Sequence, residues 1–509
     1  MREIEGINEP FGGMGVVVSS HPSLSMCALN TRICLLLRAL TSVCGLQFFG
    51  DFFQLTPVFG TPLYESVLSL IEGDIRTSSM RDREVVAGTR LFRTVRKYEL
   101  TEQHRSLDPI HTGWLERLRD TTHTNPITDE MLDAYSVLDK SDIITDQQVL
   151  AQLLESEKTP VEHMSPEACA CAAEALELEA LLAREKLWTM ASIAVPGNLQ
   201  RHIFNKHKLV SYAEQTAQPL LCWHNKLRGS LGELLMEERN APALALVREE
   251  QPELVSFFAV GAPAHLTCNV NPRKKLANGT PVKLHSLRFE AGEDEARCTD
   301  LLLQWANKST PGEIIWVPVP EAVNVEVPGI FATTANANQR VDVATCVYND
   351  PKNGPRLQQC IVVPIPLQHN LPTAGKKRYF EAELPRSRPT IAGYKASSKR
   401  KQVWKLSYEA HALTVAFAVT YHKLQAQTKS RLILDLNAQP RRLGRLDLRS
   451  AYVGWSRVRE RAGLRMFPQI KGQPARNRNA TTHLRAMKHD ERLRLYLAGF
   501  AADGSQYEP

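Results

Sequence analysis

The sequence predicts a multidomain α/β protein carrying a β-rich insertion, and three observations predict it. The chain has 509 residues, more than one compact domain holds, which implies about two to four domains. Apolar strand-like runs alternate with amphipathic helical stretches towards both ends. Between about residues 251 and 404 the texture changes to short β-like runs such as IIWVPVP and IVVPIPL, broken by Pro, Gly and Asn.

Residues 1–100 read as the strand MGVVV, a helix around NTRICLLLRAL and the strand LQFF. Ile33, Leu36, Leu37 and Leu40 recur at the helical period. The run ICLLLRALTSVCGLQFFG carries Arg38 at its middle, so it reads as a core helix followed by a strand rather than a membrane span. In residues 101–250, the part from about 120 to 187 is rich in Ala, Leu and Glu and predicts a helical arm without chemistry of its own. WTMASIAVPGNLQRHIFNKHKL then reads as a short strand, a Pro-Gly-Asn turn and a basic helix. Residues 251–404 form the β-rich insertion. In residues 405–509 the α/β alternation returns and holds to about Pro468, and a basic tail follows with a helix at RAMKHDERLRLYL.

With 43% hydrophobic and 23% charged residues the composition is that of a soluble globular protein. The opening MREIEGINEP has neither the apolar core of a secretory signal nor the Arg- and Ser-rich, acid-poor character of a transit peptide. Ten cysteines include no CxxC pair, and Cys169 and Cys171 stand too close for a zinc knuckle, so buried reduced thiols of an intracellular protein are expected. The net charge of +7 is unevenly spread: residues 371–509 hold 28 Lys/Arg against 10 Asp/Glu, leaving −11 on the rest. A basic C-terminal part predicts a polyanionic partner.

Four stretches carry candidate chemistry, in a fixed order: GDFFQLTPV, YELTEQHRSLDPIHTGWLERLRD, ALTVAFAVTYHKLQAQT and SAYVGWSRVRE. Taken singly, Gln54, Arg105, Arg457, His422 and Lys423 could each be an ordinary surface or loop residue. As an ordered set they resemble the Pif (petite integration frequency) family of superfamily-one DNA helicases. GDFFQLTPV is similar to that family's GDFxQLPPV, with Thr56 in place of a proline. YELTEQHRS resembles its fourth motif, AVTYHKLQAQT its T-x-H-K-x-Q-G-Q-T, and YVGWSRV its Y-V-A-x-S-R. Asn278-Gly279-Thr280 resembles the family's Asn-Gly-Thr segment, which opens its small β insertion. The resemblance runs from about residue 16 to 468.

That resemblance implies two RecA-like motor domains, the first incomplete, with an SH3-like all-β insertion in the second. It implies ATP and Mg2+ as cofactors, single-stranded or forked DNA as partner, a monomer without membrane attachment, and residence in the nucleus or alternatively the mitochondrion. The family's role is 5'-to-3' unwinding in replication, repair, recombination and telomere maintenance. Asp51 and Gln54 would face the nucleotide, and Gln54 would sense the terminal phosphate and orient water. Arg105 and Arg457 would act as arginine fingers, since forked, permanently charged guanidinium groups suit phosphate oxygens. Thr420, His422, Lys423 and Asn278 would bind DNA, with Gln425 linking that contact to the nucleotide.

Departures from the pattern are as specific. The phosphate loop G-x-x-x-x-G-K-[ST] is absent; the one Gly-Lys pair, Gly375-Lys376, has Asn370 at the first-glycine position and Lys377 after it. Where the family places the Asp-Glu that holds magnesium, this chain has Ser19-Ser20, or in another register Pro22 and Ser23, so no metal ligand is expected there. Ala426 replaces a glycine, and PFGG, which the family has just before GDFxQL, stands at residues 10–13. The expectation is a motor whose first strand and phosphate loop are missing, either a helicase incomplete at its N-terminus or a catalytically inactive single-strand-binding relative.

Overall fold

The computed structural model describes residues 14–18, 46–50, 53, 62–73, 80–92, 106, 108–121, 125–156, 175–180, 182–183, 187–271, 276–308, 310–331, 343–350, 354–367, 380–385, 391–392, 403–425, 427–437, 446–467 and 482–499. It is a mixed α/β structure with parallel and antiparallel sheets, and it divides into two units. One comprises residues 1–139, 194–196 and 420–509; the other comprises 140–193 and 197–419.

In the first unit Met14–Val18 pairs with Leu46–Gly50, as the apolar runs predict, but the pairing is antiparallel, with Met14 opposite Gly50 and Val18 opposite Leu46. A RecA-like domain, which the resemblance implied, has a parallel sheet, and this pair does not form one. An apolar run specifies a buried strand and not its direction, and an antiparallel pair needs no crossover helix packed on it.

Parallel strands do occur in this unit: Leu432–Leu434 pairs with Leu464–Met466, which pairs with Ser136–Val137. Leu432, Ile433 and Leu434 are all fully buried, as expected of a strand covered on both faces. The helices Pro109–Arg119 and Leu448–Trp455 meet through Trp114 and Trp455, whose rings stand edge to face at 5.1 Å, with Tyr135 completing the cluster.

The basic tail is helical at Thr482–Arg485 and Glu491–Ala498, with Asp490 capping the second helix. That second helix packs Leu493 and Tyr496 against Tyr64, Val67 and Leu68 of the helix Leu63–Glu72. Arg492 bonds both Glu65 and Glu72, and this tethers the tail further.

The predicted basic helix is Asn198–Gln215, in the second unit, and the predicted strand is Ser192–Val195, whose last two residues count with the first. The predicted helical arm includes Lys140–Ser156, and the short strand Ser136–Val137 precedes it in the first unit. A six-stranded antiparallel sheet runs in the order Val343–Asp350, Gly354–Pro366, Ala322–Phe331, Pro281–Arg288, Pro263–Leu266 and Leu413–Val415. Its last strand comes from the segment just before the TYHK stretch. A three-stranded sheet places Leu220–His224 between Ile314–Trp316 and Val255–Phe258. Lys226–Arg228, Val403–Glu409 and Phe380–Pro385 form another.

Candidate nucleic-acid and phosphate site

The first unit gathers several of the sequence-predicted residues. Thr420 ends the strand Ala418–Thr420 and occupies the cap position of the one-turn helix Tyr421–Leu424, nearly buried and without a side-chain cap bond. His422 and Lys423 follow on that turn, the first exposed and the second half-buried. Desolvation lowers the His422 pKa, opposed by the negative charge of Asp447. Gln425 closes the turn, and the Gln427 amide nitrogen donates to the Lys423 carbonyl at 2.7 Å.

What holds this turn is Tyr421, which the motif reading passed over. Its ring is fully buried and its hydroxyl donates to the Asp435 carbonyl at 3.1 Å. It lies against Gly454 of YVGWSR so closely that a Cβ there would come within 2.8 Å of both the Tyr421 ring and a Leu434 methyl. The sequence signal was a glycine at the position where the resembling family has alanine. The third and fourth stretches are thus packed face to face, and the Lys429 amide donates to the Arg457 carbonyl at 2.8 Å.

Arg457 is 2% exposed and turned inward. Its Nε donates to the Val453 carbonyl at 3.0 Å, and its Nη2 donates to Ser456 Oγ at 2.7 Å. In this arrangement the guanidinium supports its own turn. To reach a phosphate it must exchange those acceptors for phosphate oxygens.

Arg105, Gln54 and Asp51 lie outside the described residues, as do Ser19, Ser20, Pro22, Ser23 and the Gly375-Lys376 pair. Their chain neighbours are placed. Ser106 is buried, and Asp108 caps the Pro109–Arg119 helix through the Ile110 and His111 amides. The same carboxylate accepts from Arg461 Nε at 2.8 Å and the Arg461 amide at 3.1 Å. Burial acts to raise the Asp108 pKa, but the hydrogen bonds from Arg461 and His111 outweigh it and bring it to about 2.

Next to Gln54, Phe53 stands edge to face with His489 at 4.9 Å, and the Arg119 guanidinium lies 5.0 Å from its ring. Segments adjoining Gln54, Arg105 and Arg457 therefore belong to one unit that also holds Thr420, His422, Lys423 and Gln425.

Asn278 belongs to the second unit. It is exposed, its amide donates to Asn269 Oδ1 at 2.9 Å, and Gly279 follows at φ +91 with its amide on the Leu266 carbonyl. That left-handed backbone explains the glycine.

Another residue missed in the sequence is Asn205 in the basic helix. It donates to the Val415 and Ala418 carbonyls and accepts from the Ala418 amide at 2.6 Å, clamping the two short strands that lead to Thr420. An asparagine within a basic helix gives no such signal until its burial is known.

Among the described residues no group of three or more His, Cys, Asp or Glu is placed to hold a metal ion. Cys222, Cys298 and Cys360 are buried and Cys268 is half-buried, none of them in a disulfide. No described helix is long and apolar enough to cross a membrane.

No family model matches this chain, and no curated protein does. Among solved structures it is similar to a Pif1 helicase from Candida albicans, at 14% identity over 88% of this chain and 67% of that one, with a TM-score of 0.37. It is also similar to Bacteroides Pif1 bound to single-stranded DNA, at 15% identity over 91% and 68%, with a TM-score of 0.39. A Bacteroides Pif1 complex with ADP-AlF3 and single-stranded DNA gives 14% identity over 91% and 68%, with a TM-score of 0.38.

Proposed function

We propose that this chain is a helicase-type protein of the Pif kind that grips single-stranded DNA through Thr420, His422 and Lys423, with no ATP turnover by these 509 residues. The packing of the Tyr421 turn against Gly454, joined by the Lys429–Arg457 backbone bond, carries the reading. It ties the stretch proposed to contact DNA to the stretch that holds Arg457, so that Thr420, His422 and Lys423 are presented from one rigidly packed turn. The +18 balance of residues 371–509 suits a phosphodiester backbone.

The finer parts belong to the same proposal. They are two RecA-like domains with an SH3-like insertion, a nucleotide at Asp51, Gln54, Arg105, Gln425 and Arg457, and Asn278 as a further DNA contact. They also include forked DNA as an alternative substrate, a monomeric state, and nuclear or mitochondrial residence. Ser19-Ser20, or Pro22 and Ser23, where the resembling family has magnesium-holding carboxylates favour the inactive form over an ATP-dependent helicase. Repair, recombination and telomere roles would follow only for the active form.

The test is anisotropy of a fluorescent oligothymidylate titrated with the chain, at several salt concentrations, with and without Mg-ATP. Expected are affinity that falls steeply with salt, a loss on Lys423→Ala, and no effect of ATP. DNA-stimulated ATP hydrolysis would overturn the inactive reading, and salt-independent or undetectable binding would overturn both.

A further inference from the structure

The three-stranded sheet of the second unit carries a row of aromatic side chains that the TYHK site does not use. Trp316 lies opposite Cys222, and Cys222 lies opposite Phe257. Directly opposed residues share a face of the sheet, so Trp316 and Phe257 point the same way two strand spacings apart, about 10 Å. His224 stands two residues after Cys222 and joins that face. Its imidazole stacks on the Trp316 indole, with ring centroids at 4.3 Å and planes 30° apart. Both faces contribute to the core, Leu221, Trp223, Ile315 and Phe258 from one and Leu220 from the other, with Phe257 packed against the cluster.

The aromatic face is only partly covered. Leu220 and Cys222 of this face are fully buried, and Leu220 shares a cluster with Leu209 and Ala213 of the Asn198–Gln215 helix. Trp316, on an edge strand, remains 49% exposed, although an indole of that size is ordinarily well buried. One side of the ring is occupied by His224.

The His224 pKa is lowered to about 4, by burial first and by the Arg248 charge second, so the stacked pair is uncharged at neutral pH. Cations flank the row. Lys206 Nζ lies 5.8 Å from the Phe257 ring centroid. Arg201, His202, Lys206 and Phe257 together line a cavity of about 180 Å3, in which Glu253 is the one acidic side chain. Among the described residues neither Arg201 nor Lys206 has a carboxylate within ion-pair distance.

The geometry points to a second single-strand contact, in which bases of a single strand stack on the Trp316–His224 pair and its phosphates meet the exposed Lys206. Every base has a π face, so stacking on an exposed aromatic is independent of sequence, and adjacent cations match the backbone charge. This inference rests on the single-strand-binding reading and adds to it a base-directed contact, whereas Thr420, His422 and Lys423 contact the backbone.

The experiment compares the full chain with Trp316→Ala, Trp316→Phe and Lys423→Ala on two probes: oligothymidylate, and a strand of equal length made of abasic residues. Trp316→Ala should weaken oligothymidylate binding roughly five- to a hundredfold. It should leave the abasic strand unaffected, and Trp316→Phe should restore most of the loss. Lys423→Ala should weaken both probes.

Equal loss on both probes, or wild-type affinity of Trp316→Ala for oligothymidylate, overturns the stacking inference while leaving the TYHK site intact. A Trp316-dependent dimer of the free chain also overturns it, since the edge strand would then be an interface. If Lys423→Ala binds both probes like wild type while Trp316→Ala loses only the oligothymidylate, the backbone site falls and the platform stands. If the wild-type chain binds neither strand, both readings fall.

Discussion

The Asp108 carboxylate holds Arg461 by two bonds, at 2.8 Å to Nε and 3.1 Å to the backbone amide, while capping its own helix. One side chain thus fixes the start of the Pro109–Arg119 helix beside the turn that follows Arg457. Replacing Asp108 with alanine removes a cap, worth about 1 kcal/mol, and a charge-assisted pair, worth about 2 kcal/mol when partly buried. Urea unfolding should show a loss of about 2–3 kcal/mol. Asp108→Asn, a competent cap, should recover roughly a third of it.

Acid should act on the same pair with a definite sign. The folded Asp108 pKa of about 2 lies below its ordinary value of 3.8, so the folded state holds the charged form better than the unfolded chain does. That stability is complete above about pH 4 and is lost as pH falls towards 2. Arg461→Gln should flatten this limb, read as the slope of the urea midpoint against pH.

Histidines set an earlier acid limb. His411 is buried, with Nε2 at 3.1 Å from the Pro320 carbonyl and its ring edge to face with Trp223. Burial lowers its pKa to about 4, opposed by backbone hydrogen bonding. A depressed histidine pKa means that the unfolded state binds the proton more tightly. Stability is therefore full above about pH 6.5 and declines down to about pH 4. His411 should contribute a loss of about 2 kcal/mol between pH 7 and pH 5. His411→Gln keeps a donor without titrating, and its midpoint should be the less pH-dependent of the two by that amount.

Gly454 is where the resembling family's alanine cannot be accommodated. A Cβ there meets the Tyr421 ring at 2.8 Å, and the opposing Leu434 methyl stands at the same distance, so neither side can yield cheaply. Gly454→Ala should cost about 1–3 kcal/mol by overpacking. In combination with Tyr421→Leu the penalty should shrink, giving a coupling energy of about 1 kcal/mol in a double-mutant cycle. Additive losses would show that the two residues do not press on one another.

Composition and periodicity were enough to find the strand, Pro-Gly-Asn turn and helix at 192–215 and many strands of the middle, because each is a local pattern, but not the helix Glu293–Lys308 among those strands nor the break between the tail helices Thr482–Arg485 and Glu491–Ala498. Local pattern does not give strand direction, so the antiparallel sense of Met14–Val18 against Leu46–Gly50 was not legible. Nor does it show that Leu413–Val415 closes the six-stranded sheet, since that pairing is with Pro263–Leu266, distant in sequence. Motif spelling singled out Thr420, His422, Lys423 and Arg457 as candidates but could not give the inward turn of Arg457, which depends on Val453 and Ser456 as acceptors. Tyr421 and Asn205 were invisible for a related reason. Each acts by filling or bonding across a tertiary contact, and no residue type announces that on its own.

Asn205 offers the sharpest test of how the strands before the turn proposed to contact DNA are held. Its side chain satisfies the Val415 and Ala418 carbonyls and the Ala418 amide at once, two residues before Thr420. Asn205→Leu is close in volume but leaves three backbone groups without these partners, at about 1–3 kcal/mol for each that stays buried and unsatisfied. The expected result is a lower thermal midpoint together with weaker oligothymidylate binding. Asn205→Asp keeps the acceptor for the Ala418 amide and loses both donors, so it should fall between Asn205→Leu and wild type in stability. If both variants lose stability but bind DNA normally once folded, Asn205 supports the sheet alone and the path from the basic helix to Thr420 is not energetically coupled.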